Sequence, residues 1–248
     1  SWATTSTLNV ARYYLAGCGD VNNALSFGGT TGGSSGYLNT TEKWTTTSYT
    51  PSETVVGWSV TSNLNVARQG LAGCGDVNNA LSFGGTTGNY LNTTEKWSGS
   101  SWATTSNLNV AKGYLAGCGD VNNALSFGGT TGSNSYVNTT EKWSGSSWAT
   151  TSNLNQARYG LAGCGDVTNA LSFGGYTDTI INTTEKWSGS SWATTSVLNQ
   201  TRAYLAGCGN VSKALSFGGN TGANVNTTER WITNSLTGFK AEFNTDKF

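Results

Sequence analysis

The chain has 248 residues, with 13 Lys and Arg against 13 Asp and Glu, and no His. Its length admits one or two domains, and 36% hydrophobic residues, 11% aromatic overall, can build a core. Only 10% of residues are charged, which excludes a disordered polyelectrolyte, and 34 Gly beside a single Pro excludes collagen and Pro-rich linkers.

Zero net charge argues against nucleic acid or an anionic membrane as partner, because both demand clustered Lys and Arg. Without His, the chain lacks Ser-His-Asp, Cys-His and HExxH chemistry and the commonest transition-metal ligand. No run of about eighteen apolar residues occurs, so no membrane insertion is expected. The absence of Met points to a processed product or a piece of a longer protein. Five Cys is an odd count, so at least one thiol stays free or pairs between chains.

Self-similarity decides the fold. In the motif LAGCG, Cys18, Cys74, Cys118, Cys164 and Cys208 are spaced by 56, 44, 46 and 44 residues. FGG follows at Phe27, Phe83, Phe127, Phe173 and Phe217, and a TE-[KR]-W motif ends at Trp44, Trp97, Trp143, Trp187 and Trp231. A second set, Trp2, Trp58, Trp102, Trp148 and Trp192, brings the total to ten Trp, two per unit in five units. Unit one carries two insertions, three residues between Gly29 and Trp44 and nine between Trp44 and Trp58.

Each unit breaks at Gly, Asn, Asp and Ser clusters into four short segments. In the fourth unit, segment a is the stretch around Tyr159–Gly165, b is Ala170–Gly174, c is Ile181–Trp187 and d is Ser191–Leu198. None shows a 3.6-residue apolar stripe, so the unit reads as a four-stranded meander. In segment a, Leu161, Gly163 and Gly165 face one way and Ala162 and Cys164 the other, and neither face is polar. That suits four-stranded blades stacked radially, with small residues at the crowded axis and Trp at the wide rim.

The chain opens on SWATTSTL, a d segment with nothing before it, and its fifth unit stops after c at Trp231. Residues 1–8 are therefore expected to supply the fourth strand of the last blade and remove exposed sheet edges. The expected fold is all-β, a five-bladed propeller over residues 1–231, with a C-terminal tail at 232–248.

The run R-Y-G-L-A-G-C-G-D-V-T-N-A-L-S-F-G-G at 158–175 resembles the kelch repeat, with Arg before strand a, Gly-Gly after strand b and Trp some twelve residues on. The resemblance covers five units and implies a propeller, not an activity, because that fold hosts oxidases, lyases and adaptors alike. The wording LN-x-AR, FGG and TE-x-W is also similar to tandem arrays in phage and other viral surface proteins.

Five singleton Cys fit zinc poorly, since zinc wants four tetrahedral ligands, and they read as small core residues kept reduced. GDVNN carries Asp20, Asp76, Asp120 and Asp166, with Asn210 in unit five. It lacks the bidentate Glu of a calcium loop and reads as a hairpin turn, although calcium at these turns stays open. Arg12, Arg68, Lys112, Arg158 and Arg202 precede strand a, while Glu42, Glu95, Glu141, Glu185 and Glu229 precede the strand-c Trp. Catalysis needs one asymmetric constellation, so recurrence in every unit points to structural ion pairs. Asn39, Asn92, Asn138, Asn182 and Asn226 head N-T-T triplets that are formal glycosylation sequons and read as repeat composition.

In an up-and-down blade the a–b and c–d turns share one face of the disc, and that face repeats almost unchanged. The opposite face varies, and nine of the ten Tyr fall on or near it: Tyr13, Tyr14, Tyr37, Tyr90, Tyr114, Tyr136, Tyr159, Tyr176 and Tyr204. Tyr offers a flat apolar body with a polar tip, useful for sugars or protein anchors. The expectation is a non-enzymatic binding or structural module on a virion or cell surface, assembled in a reducing cytoplasm, without cofactor or metal. It would recognise a glycan or a protein receptor through repeated weak sites, and its Phe-bearing tail (Phe239, Phe243, Phe248) would dock under the disc or onto other virion subunits. A carbohydrate-active propeller enzyme and an amplified repeat protein without a ligand are the alternatives.

Overall fold

The computed structural model describes residues 6–33, 36–50 and 53–233, with the side chains of 47–50 and 53–56 left aside. The protein is all-β among these residues, with five antiparallel sheets in a propeller arrangement. Blade one is β1 (Ala16–Gly19), β2 (Asn23–Phe27), β3 (Thr41–Thr50) and β4 (Glu53–Thr61). Blade two is β5 (Ala72–Gly75), β6 (Ala80–Phe83), β7 (Thr94–Trp97) and β8 (Trp102–Thr105). Blade three is β9 (Ala116–Gly119), β10 (Ala124–Phe127), β11 (Thr140–Trp143) and β12 (Trp148–Thr150). Blade four is β13 (Ala162–Gly165), β14 (Ala170–Phe173), β15 (Thr184–Trp187) and β16 (Trp192–Thr194). Among the described residues, blade five has three strands, β17 (Ala206–Gly209), β18 (Lys213–Phe217) and β19 (Thr228–Ile232).

The strands are shorter than the sequence segments. In blade four, Tyr159 and Tyr176 pair only as an isolated bridge, and continuous pairing starts at Ala162. The left-handed Gly160, φ 61°, breaks the ladder between them. Unit one departs in the other direction, because its insertion prolongs β3 and β4 into a long hairpin that pairs from Thr41↔Thr61 to Thr50↔Glu53.

From blade one to blade five, strand a of each blade touches strand a of the next, which places the A-G-C-G runs around the axis. Their small residues are required there. A Cβ on Gly163 would stand 2.4 Å from the Phe127 ring of the preceding blade, and Gly73, Gly117 and Gly207 seat Phe27, Phe83 and Phe173 in the same way. Each joint is then filled by apolar side chains from both blades: Phe27, Leu64, Leu71, Trp97 and Trp102 meet between blades one and two. At the rim an indole crosses each joint, with Trp102, Trp148 and Trp192 donating Nε1–H to Thr41, Thr94 and Thr140 Oγ1 of the preceding blade, each at 3.0 Å.

Towards blade four, Phe173, Thr184, Leu198 and Trp231 stand at the positions whose counterparts elsewhere surround the crossing indole, and the matching indole of the repeat, Trp2, lies outside the described residues. The expected fourth strand, residues 1–8, lies mostly outside the described residues, as does the tail beyond Thr233. Towards blade one the joint is looser than the other four. Val77 and Val121 are 7% and 8% exposed, whereas their counterpart Val21 is 85% exposed. Cys208 is exposed, while Cys74, Cys118 and Cys164 are buried. Among the described residues, no backbone bond like Gly29 N–H to Arg68 O, 2.8 Å, links blade five to blade one.

Candidate functional site: an axial tyrosine basin

The recurring charges of the repeat are absorbed by structure. All five Arg or Lys side chains preceding strand a are buried, and each pairs with its own blade's Glu: Arg12–Glu42, Arg68–Glu95, Lys112–Glu141, Arg158–Glu185 and Arg202–Glu229. Arg68 also donates to the Gly84 and Thr93 carbonyls at 3.1 and 3.0 Å, and Glu95 accepts the Asn65 N–H at 2.6 Å and its Nδ2–H at 2.8 Å. These carboxylates fasten the strand-a entry to strand c, as their recurrence implied. Lys112 fits less well. Its ammonium reaches Thr139 O and Oγ1 at 3.2 Å and Glu141 only at 3.7 Å, and burial pushes it down to about 8.

The GDVNN segments are hairpin turns. Asp76 Oδ1 accepts the N–H groups of Asn78 and Asn79 at 2.7 and 2.9 Å, and Asn210 Oδ1 does the same for Ser212 and Lys213 in unit five. Among the described residues, no group of three or more His, Cys, Asp or Glu lies together. The sequon residues Asn138 and Asn182 use their Nδ2–H to hold the Leu154 and Leu198 carbonyls at 3.0 Å.

The tyrosines are what remains, and the structure gathers most of them at one mouth of the axis. Tyr14, Tyr114 and Tyr204 occupy the same repeat position in blades one, three and five, where blades two and four carry Gly70 and Gly160. All five residues are left-handed, the Tyr at φ 52–55°. That conformation is uncommon for a bulky side chain and costs on the order of 1 kcal/mol or more. It aims the three rings inward, where Tyr14 lies 5.3 Å from Tyr114 and 5.5 Å from Tyr204 between centroids.

A second tier comes from the sequence position before and from the b–c loops. Tyr159 lies near the ring cluster, 5.9 Å from Tyr204 and 6.2 Å from Tyr114. It stacks on Tyr136 at 5.0 Å and 20°, and Tyr176 closes the group at 5.4 Å from Tyr159. Between these rings opens a concavity of about 650 Å³, lined by Tyr from all five blades together with Thr130, Ser133 and Asn134. Below it, Tyr14, Tyr114 and Tyr204 roof an axial cavity of about 680 Å³.

The predicted residues thus divide. Tyr14 and Tyr204 are 37% and 39% exposed, and Tyr90, Tyr114, Tyr136 and Tyr159 are half-buried along the basin wall. Tyr176 is half-buried behind the stack, and Tyr13, 48% exposed, packs edge-on against Tyr14. Tyr37 is half-buried at its bridge to Thr30 and does not line the basin. Sequence reasoning missed Gln69, which donates Nε2–H to the Tyr114 hydroxyl at 3.0 Å, and the loop residues Thr130, Ser133 and Asn134. It also missed that the tyrosines merge into one basin, against the expectation of repeated equivalent sites. Burial first, then neighbouring phenols, push the Tyr114 hydroxyl up to about 12, and Tyr14 and Tyr136 are also raised. Tyr204 rises through burial and its hydrogen bond with Tyr159. Tyr14, Tyr114, Tyr136 and Tyr204 therefore stay neutral donors and acceptors at physiological pH.

No protein-family model matches the chain, and no curated protein matches it in sequence.

Proposed function

We propose that the protein is a non-enzymatic binding module, which holds one glycan or protein surface group in the axial tyrosine basin. The carrying observation is the convergence of Tyr14, Tyr90, Tyr114, Tyr136, Tyr159 and Tyr204 on a single concavity. Aromatic faces bind the apolar faces of sugars or side chains, and the hydroxyls, with Asn134 and Ser133, supply hydrogen bonds. The strained backbone of three of these tyrosines supports the reading, because such strain persists where a side chain must be held in place. The Arg–Glu and Lys–Glu pairs are buried within the blades, each cation turned onto its own Glu, and offer no general acid or base to the mouth.

The Arg, Gly-Gly and Trp spacing of the repeats supports a kelch-type propeller. Their likeness to tandem arrays of viral surface proteins supports display on a virion appendage, where several discs would act together and raise avidity. A glycan array followed by titration calorimetry tests the reading. The expected result is weak binding with one site per chain, lost in Tyr136→Ala at unchanged melting temperature. Binding with five equal sites, or binding indifferent to Tyr136, would contradict it.

A further inference from the structure

The basin mouth is almost free of charge, and that restricts what it can hold. The b–c loops TTGGSSGY, TTGNY, TTGSNSY, YTDTI and NTGAN contain one ionisable group other than Tyr, the carboxylate of Asp178. The linkers that enter the same face, STLNVA, SNLNVA (twice), SNLNQA and SVLNQT, contain none. The nearest cations in sequence, Arg12, Arg68, Lys112, Arg158 and Arg202, have fully buried side chains, each turned onto its Glu. Among the described residues, no Lys or Arg lines the basin.

An anionic sugar brings a carboxylate or sulfate that loses hydration on entering a cavity. Proteins offset that loss with Arg or Lys, most often through paired N–H bonds from Arg. This basin offers phenol and amide groups instead, and ring faces whose quadrupole is negative towards the ligand. Asp178 adds a full negative charge two residues beyond Tyr176, on the side where Tyr176 and Tyr136 stand 6.1 Å apart. Its field reaches the phenol of Tyr136. Asp178 is exposed, so its effect is screened by salt but not removed at physiological ionic strength.

Resting on the glycan reading of the same basin, we infer that the site takes neutral, hydroxyl-rich sugars and excludes acidic ones, with Asp178 setting the exclusion. Stacked Tyr136 and Tyr159 face the sugar's C–H surface, and Asn134 with Ser133 meets its hydroxyls. Blade four alone has a Tyr, Tyr176, where the others have Thr30, Thr86, Thr130 and Asn220, so the selective sector lies on one side of the mouth.

The test measures binding of neutral oligosaccharides and their sialylated or uronate counterparts to the full chain, to Asp178→Asn and to Asp178→Lys. The preference for neutral over acidic ligand is expected to fall in the order wild type, Asn, Lys. Between wild type and Lys the ratio should change by about tenfold at low salt and by much less at 0.5 M, roughly as screening shortens the field. Acidic ligands bound by wild type as well as their neutral counterparts, and lost in Tyr136→Ala, would overturn the exclusion while leaving the basin as the binding site. An unchanged ratio in Asp178→Lys would remove Asp178 from the account. No sugar bound at all, neutral or acidic, would overturn the glycan reading together with this inference.

Discussion

The ring of Tyr114 lies on Gly70. A Cβ added to Gly70 would stand 3.0 Å from Cδ1 and Cε1 of that ring, and Gly160 seats Tyr204 at 3.1 Å in the same way. The backbone joins the pairs as well, since Tyr114 N–H donates to Gly70 O at 2.6 Å and Tyr204 N–H to Gly160 O at 2.6 Å. The order Tyr14, Gly70, Tyr114, Gly160, Tyr204 around the axis is therefore a packing rule: each glycine is the floor for the next blade's ring.

Substituting Gly160→Ala should then cost about 2 kcal/mol, one part from the left-handed backbone and one from contact with the Tyr204 ring. In a Tyr204→Gly background the second part disappears, and the cost should fall to about 1 kcal/mol. Denaturant unfolding of the four proteins measures the difference; equal costs in both backgrounds would show that the ring does not rest on Gly160.

The joint between blades makes a parallel demand. Gly163→Ala would press a methyl group against Phe127 at 2.4 Å and should destabilise by about 1–3 kcal/mol. A smaller residue, Phe127→Leu, should recover part of that loss in the double variant although it destabilises on its own. Thermal unfolding of the cycle reads this non-additivity.

Lys112 is the one ion-pair position where the repeat uses an ammonium. Lys112→Arg should raise stability by about 1 kcal/mol, because a guanidinium there reaches both strand carbonyls and Glu141, as Arg68 reaches Gly84 O, Thr93 O and Glu95. An unchanged or lower denaturation midpoint would contradict the argument.

Alkaline pH should unfold the protein through its thiols. Burial lifts Cys18 and Cys164 from the ordinary value of 9 to about 12, and Cys74 and Cys118 also rise. A raised folded value means stability is intact below pH 9 and is lost as pH climbs towards 12, at up to about 1.4 kcal/mol per pH unit for each thiol. Lys112 acts in the opposite sense, since its depressed value makes its cost fade between about 8 and 10.5. Above about pH 10 the raised phenols of Tyr14, Tyr114 and Tyr204 add to the thiols, while the lowered guanidinium of Arg158 joins Lys112 on the other side. The four thiols begin to act first, so the melting temperature should drop between pH 9 and 11. Cys→Ala at positions 74 and 118 should flatten the drop.

Much of this architecture was legible in the repeats. LAGCG, FGG and the paired Trp mark strands a to d because their spacing leaves room only for short strands and tight turns. The Arg–Glu pairs were legible because a group that recurs in every blade cannot be a single active site. Strand ends were not, because a left-handed residue such as Gly160 stops pairing without changing the residue pattern. The looser joint between blades five and one was also hidden. Val21 and Val77 sit in identical sequence contexts, and only the packing around them distinguishes 85% from 7% exposure. The basin was half legible. Tyr content marked the face where the rings gather, but the alternation of Tyr with Gly at one repeat position was the signal that they converge.

The central claim is that the axial tyrosines serve a ligand rather than the fold, and Tyr114→Gly tests it most directly. Glycine already occupies the equivalent positions at 70 and 160 with φ near 60°, so the variant relieves backbone strain while it empties one side of the basin. Ligand affinity from titration calorimetry, measured beside the melting temperature, is the decisive pair of readings. The account predicts a melting temperature close to wild type and at least a tenfold loss of affinity. A collapse in stability, or an unchanged affinity in a stable protein, would contradict it.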